Sequence, residues 1–220
     1  MTAVDVDAVL RAQGADPVRI RQRSPRLVAL AERALREGTP LLAPSVISRR
    51  FTVSGHGHSA VRFLEGGKLS GTLVAAECAP ADEMIVMAVT IGATLERAAD
   101  AAAASEPAFA LALDGLGTAA VGALATAETE RIAERAAAAG SRAGSPLSPG
   151  MEGWPLALGQ QEIFQLLGDG PHPIRLLESG MMEPRKSLTL VIGVGAAMQS
   201  GASQCDHCGS RDRCRHRRAS

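Results

Sequence analysis

Aromatic residues are scarce in this sequence, which has no tyrosine, one tryptophan and four phenylalanines among 220 residues. Proteins that bind single-stranded nucleic acid commonly stack the bases on aromatic side chains, so this composition argues against a surface of that kind. Because 46% of the residues are apolar, the chain can still form one globular core. That core has to be built from Ala, Leu, Val, Ile and Met.

Net charge is also absent, since 23 Lys and Arg residues balance 23 Asp and Glu residues. A chain without net charge exerts little long-range attraction on a polyanion, so we expect no nucleic-acid partner. Residues 211–218 are the local exception, because they are strongly basic.

Long apolar runs and an export signal are missing as well. The longest apolar passage, residues 84–95, is shorter than the ~20 residues that a membrane helix needs. Residues 1–9 are acidic and lack the basic and apolar regions of a secretory signal. We therefore expect a cytoplasmic protein without a membrane partner, whose four cysteines are thiols or metal ligands rather than disulfides.

Apolar periodicity and turn residues predict an irregular alternation of helices and strands. This order favours an α+β fold over a doubly wound parallel sheet. The periodicity predicts helices within 1–38 and at 95–104, 109–139 and 158–167, strands at 46–53, 61–64, 84–90, 174–178 and 187–194, a turn at 65–70 and a loop at 140–155. We expect one domain over 1–195, followed by a cysteine-rich basic tail over 196–220.

The long helix predicted at 109–139 contains Gly115, Gly117 and Gly122. Each glycine inside a helix costs about 1 kcal/mol relative to alanine. Two interpretations remain open: either a second backbone or a ligand approaches the helix closely at these glycines, or the helix breaks near Gly122.

Four segments occur in the order and spacing of a known domain. They read MAVTIGATLE at 87–96, LDGLGTAAV at 113–121, SPGMEGWP at 148–155 continuing into QQEIF at 160–164, and LESGMMEPRKS at 177–187. Together they resemble the activation domain of vitamin B12-dependent methionine synthase in its short, free-standing form. The resemblance spans roughly residues 5–195.

The resemblance implies a curved single domain with a central antiparallel sheet flanked by helices. It also implies a methyltransferase or reactivation component of methionine biosynthesis. Members of the family bind S-adenosylmethionine and present it to cobalamin that has been oxidised to the cobalt(II) state on a partner protein or chain. An electron-donor protein completes the reaction. No acid/base pair or nucleophilic triad is evident in the sequence, as expected where a cofactor supplies the chemistry.

By the same resemblance, the ligand would be held by Ser148, Pro149, Gly150 and Met151. Proline fixes one backbone dihedral and glycine removes the side chain, so bare backbone groups can approach a ligand. The alternative is an ordinary turn before the helix at 158–167.

Glu178 and Ser179 match the family's strand motif and are further candidates for contact with the cofactor. An equally simple role for Glu178 is an ion pair with Arg175 or Arg185. Either role stays open from the sequence.

The sequence departs from the family at three positions. Where the family has an Arg-x-x-x-Gly-Tyr loop, this chain has Pro146 in place of the arginine and Met151 in place of the tyrosine. Gly122 stands where the family often has a glutamate. A second hypothesis is therefore a non-catalytic, partner-binding module whose ligand site has degenerated.

The C-terminal tail contains Cys205, Cys208 and Cys214 in Cys-x2-Cys-x5-Cys spacing. With His207, His216 or Cys78 as a fourth ligand, these thiolates would hold zinc or an iron–sulfur cluster. This predicts a third function, that of a metal-dependent interaction protein. The alternative is a tail with free thiols.

A second candidate metal site is the pair His56 and His58, which would share one side of a strand. A plain surface turn is the competing interpretation.

Overall fold

The computed structural model describes residues 4–168, 170 and 173–199. Within them the helices are α1 (Val6–Ala12), α2 (Pro17–Arg23), α3 (Pro25–Gly38), α4 (Thr72–Glu77), α5 (Thr94–Ala103), α6 (Pro107–Ala138) and α7 (Leu156–Leu167). The strands are β1 (Ser45–Gly57), β2 (Ala60–Phe63), β3 (Lys68–Ser70), β4 (Glu83–Thr90), β5 (Arg142–Ala143), β6 (Arg175–Leu176), β7 (Met182–Glu183) and β8 (Ser187–Gly195).

Six of the strands form one sheet in the order β3-β2-β1-β4-β8-β5, and β6 and β7 form a separate hairpin. Every pairing within these sheets is antiparallel. The expected mixed fold with a central antiparallel sheet is thus confirmed, whereas the curvature implied by the resemblance stays a prediction.

Strand β4 lies between β1 and β8 and separates two apolar cores. Ile85, Met87 and Val89 belong to the core that α1, α3, α5 and α6 cover. Met84 and Val86, which alternate with them, belong to a second core shared with α4 and α7. Burial on both faces explains why this strand is a nearly continuous apolar run in the sequence.

Helix α6 is continuous over 32 residues, so the interpretation that it breaks near Gly122 is wrong. By length and composition alone it is long and apolar enough to cross a membrane, which corrects the expectation that no segment has this length and apolarity. However, 56% of its most apolar window is buried inside the fold. It contacts α1, α3, α5 and β8, as a core helix does.

The glycines of α6 have different surroundings. A Cβ atom at Gly115 would lie 3.0 Å from the backbone oxygen of Val9 in α1, so a second backbone does approach the helix there. A Cβ at Gly117 would meet only side chains, the nearest being Lys186 at 3.1 Å. A Cβ at Gly122 would meet nothing within 4 Å.

Local elements differ from the prediction where they are short. Residues 68–70, expected within a turn, form the edge strand β3, with Leu69 buried. Helix α4 was not predicted, because six residues are too few to establish a helical period. The strand expected at 174–178 is reduced to Arg175–Leu176.

The chain beyond β8 still contributes to the fold, since Met198 is 3% exposed and belongs to the second core. The division between a domain at 1–195 and a tail at 196–220 stays a prediction. Cys205, Cys208 and Cys214 lie outside the described residues.

We predict different effects of the same substitution at two glycines of α6. Gly122→Ala should raise the free energy of unfolding by about 0.5–1 kcal/mol, because only the glycine penalty is removed. Gly115→Ala should be less stable than Gly122→Ala by about 1–3 kcal/mol, because its Cβ must displace α1. Urea unfolding followed by circular dichroism measures both, and equal stabilities would contradict the close approach of α1.

Candidate functional site

The Pro-Gly segment at 148–154 is a loop closed by its own backbone hydrogen bonds. The Met151 N–H donates to Ser148 O (3.3 Å), Trp154 N–H to Met151 O (2.9 Å), and Gly150 N–H to Trp154 O (2.8 Å). Gly150 and Gly153 have φ values of 95° and 84°, which L side chains rarely adopt. The loop shape therefore depends on glycine at these two positions.

Trp154 anchors this loop in the second core and is 1% exposed. Two glycines make room for its indole ring. A Cβ atom at Gly71 would lie 2.7 Å from the Trp154 Cδ1, and one at Gly159 would lie 2.6 Å from the Nε1. The indole N–H is buried and has no hydrogen-bond partner within the described structure.

A second segment, far away in the sequence, holds the loop from the other side. The Gly153 carbonyl accepts hydrogen bonds from the Thr72 Oγ1 (3.2 Å) and from the Leu73 N–H (3.3 Å), at the start of α4. The Gly71 N–H in turn donates to Ser59 O (2.8 Å). The loop is thus bound to the β2–β3 end of the sheet.

A cleft of about 740 Å³ opens between these two segments. This volume is within the range of small-molecule sites. The cleft is lined by Ser59, Ser70, Gly71, Thr72, Gly150, Met151, Gly153, Trp154, Pro155, Leu156 and Leu158. No charged side chain is among these residues, and Leu156 and Leu158 remain 51% and 43% exposed. The cleft can therefore take an apolar ligand body and offers hydroxyl and backbone groups for polar contacts.

A buried carboxylate joins α7 to the edge of the cleft. Glu162 is 5% exposed and accepts hydrogen bonds of 2.6 Å from both the N–H and the hydroxyl of Ser70. Both carboxylate oxygens are engaged, which compensates for the burial of the charge. Glu162 thereby fixes β3 against α7.

Of the four predicted loop residues, Gly150 and Met151 line the cleft. Ser148 and Pro149 belong to the same loop but do not line the cleft. The Ser148 N–H lies 3.4 Å from the Met151 Sδ, and Pro149 is buried close to Gly159 of α7.

Glu178 and Ser179 are exposed in the turn between β6 and β7 and do not line this cleft. The Ser179 Oγ accepts a hydrogen bond from the Met181 N–H (3.4 Å), so its hydroxyl stabilises the turn.

The arginines that were possible partners of Glu178 pair with other acids. Arg175 pairs with Glu183, and Arg185 pairs with Asp100 at 2.7 Å.

Of the three positions at which the sequence departs from the motif resemblance, only Met151 lines the cleft. Pro146 and Gly122 are not among its lining residues, and Met151 contributes an apolar side chain. The charged contacts that the resemblance implies thus have no counterpart in this cleft.

The sequence did not indicate Gly71 and Thr72 as part of a site. They carry no recognisable local pattern, and the cleft forms because sheet topology brings them to the loop.

Among the described residues, no group of three or more His, Cys, Asp or Glu side chains is arranged to hold a metal ion. His56 lies on β1, whereas His58 lies in the following turn, so strand alternation does not align them. Cys78 is 1% exposed, and its burial raises the pKa of the thiol from 9.0 to about 12. It is therefore a core residue rather than an accessible fourth ligand. The predicted ligands Cys205, Cys208 and Cys214 lie outside the described residues.

Comparison with known proteins identifies a structural likeness without a sequence match. No protein-family model matches the sequence. No curated protein matches it significantly. The fold is similar to a crystal structure of the MetH reactivation domain bound to AdoHcy, with a TM-score of 0.64 and 17% sequence identity. The superposition covers 87% of this chain and 71% of that chain. At this identity the likeness shows the fold: this is a protein with the architecture of that domain.

We predict that Trp154 is the main apolar anchor of the cleft. Trp154→Ala should lower the free energy of unfolding by about 3–5 kcal/mol. Trp154→Phe should cost less, because the lost indole N–H made no hydrogen bond. Circular dichroism in urea measures both, with Leu64→Ala, at a side chain that is 70% exposed, as the control. A Trp154→Ala protein as stable as the control would contradict this role.

We also predict that Cys78 resists alkylation in the folded protein. Burial raises the pKa of the thiol from 9.0 to about 12, so the unfolded chain loses this proton at lower pH than the folded protein does. The free energy of unfolding should therefore be unaffected by Cys78 below pH 9.0 and should fall as pH rises from 9.0 to 12. Mass spectrometry after iodoacetamide treatment near neutral pH should find Cys78 unlabelled until denaturant is added. Labelling at equal rates in native and denatured protein would show that the site is open.

Proposed function

We propose that this protein binds a ligand of the S-adenosylmethionine class in the cleft formed by the Pro-Gly loop and the start of α4. We further propose that it does so as a cytoplasmic component of cobalamin reactivation or methyl transfer. The main support for this proposal is the cleft at the Pro-Gly loop, which lies within a fold similar to that of a reactivation domain bound to AdoHcy. The motif resemblance at 148–155 points to the same loop.

The chemistry of the cleft favours such a ligand through shape and backbone contacts. Met151, Leu156 and Leu158 offer apolar surface for an adenine ring and a thioether chain. Ser59 and Thr72 supply hydroxyl groups at the opposite wall. Adenosine derivatives combine a flat apolar ring with a polar ribose, which this distribution suits.

The missing charges have a consequence for selectivity. S-adenosylmethionine carries a positive sulfonium, whereas AdoHcy has a neutral thioether. Because no carboxylate lines the cleft, nothing there favours the sulfonium by charge pairing. The two ligands should therefore bind with similar affinity.

The proposal also includes two kinds of partner protein. A cobalamin-binding methyltransferase protein or chain would supply the corrinoid, and an electron-donor protein would supply the reducing electron. The metal-binding role of Cys205, Cys208 and Cys214, with zinc or an iron–sulfur cluster, remains a separate proposal. Metal analysis of the full chain against a truncation at Ser200 tests it.

One observation favours a second candidate function. The cleft has no charged group, and it exposes Leu156 and Leu158 at its mouth. Exposed apolar side chains around a neutral cleft also suit a partner-binding module that has lost its small-molecule ligand. Tight binding of S-adenosylmethionine would count against this candidate.

Calorimetric titration of the full chain with S-adenosylmethionine and with AdoHcy tests the leading function. We expect dissociation constants in the micromolar range, about −8 kcal/mol, and a ratio close to one. Gly150→Ala should weaken both by roughly tenfold or more, because it forces a side chain into a positive-φ position of the cleft. Gly140→Ala is the matched control, since Gly140 also has positive φ but does not line the cleft.

Two outcomes would contradict the proposal. Absence of heat with either ligand at millimolar concentration would shift the assignment to the partner-binding module. Equal loss of affinity in Gly150→Ala and Gly140→Ala would show that the effect comes from strain in the fold rather than from the cleft.

A further inference from the structure

A pocket lies between the C-terminal half of α6 and strands β1 and β4, and it shares no lining residue with the cleft. This α6 pocket has a volume of about 290 Å³. Small-molecule sites span roughly 300–1,000 Å³, so the α6 pocket suits a ligand at the small end of that range.

The inner wall of the α6 pocket is apolar. Ile85 and Met87 of β4 and Ile132 of α6 line it, and they are 8%, 1% and 9% exposed. All three belong to the core that the helices cover. Because Trp154 of the cleft belongs to the second core, the two sites lie on opposite faces of the sheet.

On the sheet side, charged and apolar side chains of the α6 pocket share one face. Arg50 of β1 is the direct cross-strand partner of Ile85, so both project from the same face. Glu83 precedes Ile85 by two residues on β4 and therefore projects from that face as well. The Arg50 Nη1 donates to the Glu83 Oε2 (2.7 Å).

The same holds on the helix side. Glu128, Arg131, Ile132 and Arg135 line the pocket at spacings of three and four residues, which places them on one face of α6. Glu128 forms an ion pair with Arg131. Arg135 follows Ile132 by one helical turn, so its side chain borders the apolar wall.

The charges that face the α6 pocket leave one positive charge unbalanced. A further lining residue, Arg49, belongs to the other face of β1, where its Nη1 donates to the carbonyl oxygen of Leu166 (2.7 Å). Of the remaining three arginines and two glutamates, two arginines are paired with the two glutamates. Within the described structure Arg135 has no ion pair.

We propose that the α6 pocket binds a small monocarboxylate with an apolar body. The carboxylate pairs with Arg135, and the body lies along Ile85 and Ile132. A guanidinium can donate two parallel hydrogen bonds to a carboxylate, and one negative charge balances the one unpaired cation. A dianion would carry an excess negative charge close to Glu83 and Glu128, which repel it.

Hexanoate is the probe that tests both parts of the α6 pocket. Acetate provides the charge without the apolar body, and 1-hexanol provides the body without the charge. Calorimetric titration of the full chain should give hexanoate a dissociation constant of about 1 mM or lower, at least roughly tenfold below that of acetate or 1-hexanol. Higher salt should weaken hexanoate binding.

Two single substitutions should change the affinity in opposite directions. Arg135→Gln should weaken hexanoate by roughly tenfold and leave 1-hexanol unchanged, because only the charge pairing is lost. Glu128→Gln should tighten hexanoate by roughly threefold, because it removes a repelling charge and releases Arg131. A purely structural role of these side chains would not produce opposite signs.

The matched control is Arg36→Gln. Arg36 is an exposed arginine in the last turn of α3, as Arg135 is in the last turn of α6, and it does not line the pocket. This control should bind hexanoate like the parent protein. Circular dichroism checks that all three variants are folded.

Three results would overturn the inference. The first is no detectable binding of hexanoate at 10 mM, about tenfold above the expected dissociation constant. The second is equal affinity in Arg135→Gln and Arg36→Gln, or no gain of affinity in folded Glu128→Gln. The third is a change in fluorescence of Trp154, the single tryptophan, that follows the titration and disappears in Gly150→Ala. That result would place hexanoate in the cleft. None of these results depends on whether S-adenosylmethionine binds.

Discussion

The burial of strand β4 on both faces is the constraint on which the rest of the structure depends. Its neighbours β1 and β8 satisfy its backbone hydrogen bonds, so its alternating side chains can enter two separate cores. One core requires a cover of helices, which α1, α3, α5 and α6 provide. The other core is covered by α7, α4 and the loop at 148–154. The cleft described above lies at this second, less regular cover.

Helix α7 links two cavities. Leu156 and Leu158 near its start border the neutral cleft, whereas Leu166 near its end borders a second cavity of about 670 Å³, which both basic and acidic side chains line. The hydrogen bonds between Ser70 and Glu162 connect a residue lining the cleft with a residue lining this second cavity. Glu162 thus fixes the sheet edge between the two cavities.

The fold and the site support the proposed function to different degrees. The likeness to a reactivation domain extends over most of the chain, so the architecture is similar. The shape of the Pro-Gly loop depends on glycine at positions 150 and 153, and Met151 supplies apolar surface beside it. A ligand of the S-adenosylmethionine class would consequently be held by backbone, hydroxyl and apolar contacts. Selectivity for its charged groups would have to come from elsewhere.

By itself, the sequence determined the elements with strong local patterns. The apolar run at 84–90 specified a doubly buried strand and the periodicity at 109–139 specified α6. The glycines and prolines at 140–155 specified a loop, apart from the two-residue strand β5 that lies within it. Periodicity and turn chemistry act over a few residues, so they are readable without the fold.

Only the tertiary structure decided which distant residues meet. It brought Gly71 and Thr72 to the loop at 148–154, and it placed Glu178 and Ser179 away from the cleft. It also set Arg62 opposite Lys68. The physical reason is that strand order and register arise from packing of the whole chain, and short elements such as β3 and α4 carry too few residues to reveal their partners.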